Sequence, residues 1–199
     1  MPEFDIRAIV IDRGEGGANR AGVVPLKQMF HITGRKVPYA LGLTGNLYSG
    51  EDTAGGELMG EQAGVELILK TLRETREPIT IFTTGSLRDM AAAYNREPDL
   101  FRKNVSRFYM NAGHSSGREE WNVKLDPHAF VRIMRSDLPI YWVPCFGDRG
   151  YSSYWNFVQG EVLESCPLPL QNFFVYALTK ADPFKRDPIQ SLSQPVAED

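Results

Sequence analysis

Residues 79–113 read ITIFTTGSLRDMAAAYNREPDLFRKNVSRFYMNAG, and the fold is decided there. After Pro78, residues 79–83 (ITIFT) read as a strand. The run ends in Thr84-Gly85-Ser86, a polar turn with a glycine. Residues 90–94 read as helix, residues 105–110 (VSRFYM) as a second strand, and the chain then turns at Asn111-Ala112-Gly113-His114. Strand, helix and strand in this order imply parallel pairing with the helix laid over the sheet.

The same alternation extends to either side. Upstream, residues 7–12 (RAIVID) carry a β-branched run that leads into Asp12-Arg13-Gly14-Glu15. Residues 23–32 have helical spacing, with Leu26, Met29 and Phe30 on one face and Gly34 as the stop. Residues 37–41 read as a strand and 42–56 as a long Gly-rich surface loop, of the kind that is often functional or mobile. Residues 60–76 read as an amphipathic helix along Val65, Leu67, Ile68 and Leu72. Downstream, Asp126-Pro127 is an N-cap followed by proline at the first helical position, opening a helix to about residue 135. Residues 139–144 (PIYWVP) read as a fifth strand and 168–178 as a last helix. The expected fold is α/β: a doubly wound, mostly parallel sheet with helices on both faces. Residues 1–181 form one domain in this reading, and 182–199 a polar, mobile tail.

In such sheets ligands bind beyond the carboxyl ends of the strands. That rule selects Asp12 to Glu15, Thr83 to Ser86, Met110 to His114, and Cys145 to Asp148. The formal net charge of −3 and the absence of a Lys/Arg run argue against a nucleic-acid partner. No apolar stretch is long enough to span a bilayer, and residues 1–12 lack the apolar core of a secretory signal. Two cysteines without CxxC spacing make no disulfide framework, so a cytoplasmic setting is expected. Gly14-Glu15-Gly16-Gly17 lacks the Gly-Lys-Ser/Thr ending of a phosphate loop.

The ordered set Thr84-Gly85, Met110-x-x-Gly113, Glu120-x-Asn122 and Asp126-Pro127 resembles the inosine–uridine-preferring nucleoside hydrolases. The segment EEWNVKLDPHAFVRIMRSDLPIYWVP, residues 119–144, is similar to that family's Glu-Phe-Asn, Asp-Pro-Glu-Ala-Ala and Leu-Pro-Ile stretch, with Trp121 in place of the phenylalanine. The resemblance implies hydrolysis of the N-glycosidic bond of ribonucleosides or related ribosides through an oxocarbenium-like state. It also implies a calcium ion that binds the ribose diol and an attacking water, and allows a homo-oligomer. Carried over by position, Met110, Glu120 and Asn122 are the substrate-binding residues. Thr84, through its carbonyl, and Asp12 are the candidate metal ligands. Asp126 is read as a helix cap. No catalytic residue is assigned, because the family's Asp-x-Asp-x-Gly-x-Asp-Asp string does not occur in these 199 residues and the sequence reads as starting at the family's second strand. Phe146 stands where an aspartate is expected.

Each candidate also has a plain structural reading. Asp12 and Glu15 are turn residues, Thr84 a strand end, Met110 a core residue, and Glu120 and Asn122 a loop carboxylate and a turn amide. His114 reads as an exposed loop residue or an acid, His128 as helix surface, His31 as structural and Cys145 as a small buried residue. Tyr151, Tyr154, Trp155 and Phe157 read as core aromatics or as a stacking surface for a base. Three functions stay open: a nucleosidase, a non-catalytic nucleoside or polyol binder of the same fold, and part of a longer hydrolase.

Overall fold

A computed structural model of the chain describes residues 4–13, 22–147, 152–154, 158–178 and 187–193. Its contacts group the chain into two units. The first comprises Met1–Asn19 and Pro38–Trp155, the second Arg20–Val37 and Asn156–Asp199.

Among its described residues the first unit carries five strands in two sheets, paired in parallel within each. β1 (Ile9–Ile11) pairs with β2 (Tyr39–Leu41), Ile9 opposite Tyr39. β3 (Ile79–Thr83), β4 (Val105–Met110) and β5 (Ile140–Trp142) form a three-stranded sheet in that order. Thr83 lies opposite Met110, and Met110 opposite Trp142, so the carboxyl ends of all three strands fall at one level. Strands β3 and β4 coincide with residues 79–83 and 105–110. β2 and β5 are shorter than expected: the ladder leaves out Pro38, Pro139 and Pro144, and proline has no N–H to give it.

Helices fill the crossovers. α2 (Ala63–Glu74) buries Val65, Ile68, Leu69 and Leu72, the i, i+3, i+4, i+7 stripe. It is shorter than residues 60–76, since a 3-10 turn, Met59–Glu61, takes the place of its first turn and Thr75 leaves in an extended conformation. α3 (Arg88–Arg96) is longer than residues 90–94, because Arg88 and Asp89 belong to its buried first turn. α4 (Pro98–Asn104), not anticipated, opens on a proline at the first helical position. α5 (Trp121–Leu125) was also not anticipated. α6 (Pro127–Met134) starts as expected, with Asp126 Oδ1 accepting from Ala129 N at 2.9 Å. Leu72, Phe101, Phe108, Met110 and Ile133 form the centre of the core. On the other side of the three-stranded sheet Phe82, Tyr109 and Tyr141 make an aromatic row, with centroid spacings of 5.0 and 4.9 Å.

The second unit holds α1 (Val23–Thr33), α7 (Gln159–Leu163), α8 (Leu168–Leu178) and the 3-10 turn Gln190–Ser193. α1 ends on Gly34 in the left-handed region, φ 65°, as its sequence predicts. Buried Gln28 donates to Pro188 O at 2.8 Å, and Asn172 to Leu192 O at 2.9 Å. His31 is exposed on α1. Residues 182–186 and 194–199 lie outside the described residues.

α2 approaches the end of β2 closely enough that a Cβ at Gly64 would meet Asp89 Oδ1 and the Gly42 backbone. Helix propensity favours alanine over glycine by about 1 kcal/mol, whereas overpacking a filled site costs about 1–3 kcal/mol. Gly64→Ala is therefore expected to lower the melting temperature, read by circular dichroism. A rise would mean that α2 has room to move away.

Candidate functional site

The 42–56 segment is not the mobile loop its composition suggests. Leu43, Leu47 and Ala54 are buried, and the loop's polar backbone groups are taken up by side chains of α3 and of Asp126. Asp89 accepts from Leu43 N, at 3.1 Å to Oδ1 and 3.3 Å to Oδ2. Arg88, 1% exposed, donates to Thr44 O at 3.2 Å and to Leu125 O at 3.0 Å. Asn95 donates to Gly50 O and Asp52 O, and Arg96 to Thr53 O. Asp126, 0% exposed, accepts from Leu47 N at 2.8 Å while capping α6. Glycine and acid content alone hid this clamp, and Arg88 and Asp89 were missed because charged residues ordinarily face water.

Asp89 is 7% exposed. Burial pushes its carboxyl up to about 7 from 3.8; the Leu43 N–H pulls it down and the neighbouring Asp12 carboxylate pushes it up again. Asp12 itself, at the end of β1, accepts from Ser86 N at 2.5 Å and so ties β1 to the turn after β3.

Two polar groups cross-link the ends of β3 and β4 and the start of α5. Asn122 Nδ2 donates to Asn111 O at 3.0 Å and to Thr84 O at 3.3 Å. Glu120 caps α5, accepting from Asn122 N at 3.0 Å and Val123 N at 3.2 Å, and also accepts from Gly113 N at 2.7 Å. Asn111 continues the ladder, its N–H donating to Thr83 O at 3.0 Å and its amide to Val143 O at 3.0 Å. Tyr154 OH donates to Asn111 Oδ1 at 3.3 Å and lies 3.4 Å from Cys145 Sγ.

Four of the five candidates thus lie in these strand-end contacts: Glu120, Asn122 and Thr84 around β3 and β4, and Asp12 one turn away at Ser86. Thr84 is exposed, and Glu120 and Asn122 are half-buried. Met110 is 0% exposed in the core beneath them. His114 is held between Ser116 N, at 3.1 Å from Nδ1, and Gly147 O, at 3.3 Å from Nε2. His128 is exposed on α6, as expected. Cys145 is half-buried, not enclosed. Tyr154 sits in a turn and is exposed, not a core aromatic, because residues 152–154 form no helix that could bury it. Glu15, Tyr151, Trp155 and Phe157 lie outside the described residues. Asn111 and Tyr154 went unrecognised as a pair, since 43 residues separate them and only the fold brings them together.

Among the described residues no group of three or more His, Cys, Asp or Glu side chains is placed to hold a metal ion. Asp12 is already bonded to Ser86 N, and the Thr84 carbonyl to Asn122. That donor set does not fit a calcium ion, which takes six to eight oxygens.

The family profile described as inosine-uridine preferring nucleoside hydrolase matches residues 1–181. The pyrimidine-specific ribonucleoside hydrolase RihA of Escherichia coli O127:H6 (strain E2348/69 / EPEC) is 29% identical over 160 residues, covering 70% of this chain and 51% of that protein. RihA of Citrobacter koseri (strain ATCC BAA-895 / CDC 4225-83 / SGSC4696) is 28% identical over 161 residues, with the same coverage. The chain spans about half the length of these relatives. A solved plant nucleoside hydrolase, the PpNRh1 enzyme, superposes with a TM-score of 0.54 at 18% identity, over 72% of this chain and 52% of that one, and shares the fold.

The folded protein binds the Asp89 proton more tightly than the unfolded chain, whose pKa is near 3.8. That contribution to stability is full below about pH 4 and is lost as pH rises towards 7. Denaturant titrations of Asp89→Asn against the parent are expected to show a flatter pH dependence between these limits. The difference is at most on the order of 4 kcal/mol. Parallel curves would mean that Asp89 ionises normally when folded.

Proposed function

Because the chain belongs to the inosine-uridine preferring nucleoside hydrolase family, we propose that it binds a ribonucleoside or related riboside at the carboxyl ends of β3 and β4 and hydrolyses its N-glycosidic bond. The observation that carries this reading is the hydrogen-bonded junction of Glu120, Asn122, Asn111 and Thr84 at the level where three parallel strands end. A carboxylate offers about four lone-pair directions, and three backbone N–H groups meet Glu120. One direction is left for a sugar hydroxyl, and the amide oxygen of Asn122 offers a second acceptor. Pyrimidine ribonucleosides are the first substrates to try, since RihA is named for them.

No step is derived through calcium, because the described donors do not fit it. The same engagement favours a second reading, binding without cleavage: among the described residues, the strand-end carboxylates Asp12 and Glu120 both accept from backbone N–H groups instead of being poised to take a proton from water. We take the protein to be cytoplasmic, with a homo-oligomer allowed by the family resemblance and with no nucleic-acid or membrane partner. The net charge of −3 supports the third of these. No helix among the described residues is long and apolar enough to cross a membrane.

Ribose release from pyrimidine and purine ribonucleosides, read with added calcium and with a chelator, is expected to exceed a no-protein control. Calorimetry on the same nucleosides is run in parallel. Binding without release would establish the second reading. Neither release nor binding would sink both. The chelator is expected to leave binding unchanged, and chelator-sensitive binding would mean that donors outside the described residues complete a metal site.

A further inference from the structure

The group at the end of β5 takes no part in the reading above. We infer that Tyr154 is a substrate-contacting residue: its hydroxyl hydrogen-bonds a sugar hydroxyl of the nucleoside held at the Asn122 junction. This rests on the nucleoside site just proposed.

The connection is short. Tyr154 OH donates to Asn111 Oδ1, and Asn111 O accepts from Asn122 Nδ2, so one residue separates the phenol from the junction. Cys145 Sγ lies 3.4 Å from the same hydroxyl and fixes its other side. The Cys145 contact and burial, with a smaller push from the Glu120 charge, raise the phenol's pKa against the pull of the Asn111 contact. A neutral O–H donor beside a carboxylate suits an uncharged polyol and disfavours an anion. Tyr154 is 46% exposed, so part of the residue is accessible to a ligand. Its donor–acceptor distance of 3.3 Å is at the long end for O–H···O. A bound hydroxyl can therefore replace Asn111 as acceptor at small cost.

Tyr141 is the matched control: 47% exposed, on the neighbouring strand, with its ring stacked on the sheet face and no place in the junction. The two cysteines supply a second readout inside one molecule, since both are half-buried and only Cys145 touches Tyr154. Uridine binding to the full chain is measured by calorimetry for the parent, Tyr154→Phe and Tyr141→Phe. The rate of iodoacetamide labelling at Cys145 and Cys166 is followed by mass spectrometry, with and without uridine. Loss of one uncharged hydrogen bond should weaken binding by Tyr154→Phe roughly three- to tenfold, leave Tyr141→Phe unchanged, and accompany protection of Cys145 but not Cys166. Where release is measurable, KM should rise with kcat little changed. Uridine that binds the parent while either the affinity change or the protection is missing overturns the role of Tyr154 and leaves the nucleoside site standing. Uridine that does not bind the parent overturns both. If Tyr154→Phe melts below the parent, the labelling of the parent decides alone.

Discussion

A loop of fifteen residues packs its apolar side chains inward only if every backbone group carried in with them finds a partner. Residues 42–56 have no strand or helix of their own, and side chains take up several of their backbone groups. Their partners are side chains on α3 and at the start of α6: Arg88, Asp89, Asn95, Arg96 and Asp126. The rest of the first unit hangs on these contacts. Asp89 sits under β2 and against Gly64 of α2, and Arg88 reaches from the loop to Leu125, the last residue of α5. One helical turn thereby joins four elements that share no ladder.

Such a clamp carries a cost. A buried guanidinium bonded to carbonyls and a buried carboxylate bonded to one N–H keep little of the hydration they lose. The raised pKa of Asp89 reports that loss directly. In return, the turn after β3 starts from a fixed helix, and Thr84 and Ser86 are held where Asn122 and Asp12 can bond to them. A site made of strand ends needs this kind of support, because each residue in it belongs to a different loop. Glu120 and Asn122 extend the same economy. They tie β3, β4 and α5 together with part of their bonding capacity.

Much of this architecture was legible in the amino-acid order. ITIFT after Pro78 and VSRFYM matched β3 and β4 to the residue, and Asp126-Pro127 marked the start of α6. These are local signals: a short strand run, a cap and a proline act within a few residues of themselves. The resemblance in Thr84-Gly85, Glu120-x-Asn122 and Asp126-Pro127 named the family for the same reason, since the motifs are short and ordered. α4 and α5, of seven and five residues, escaped because so few turns carry little periodicity.

By itself, then, the sequence determined the α/β class, the strands that build the candidate site, and the family. Tertiary structure alone decided that the Gly-rich loop is clamped, that Asp89 and Arg88 are buried, and that Tyr154 meets Asn111 and Cys145. The physical reason is sequence separation. Hydrogen bonds between residues 43 and 89, 47 and 126, or 111 and 154 depend on where whole elements pack, and no window of neighbouring residues encodes that.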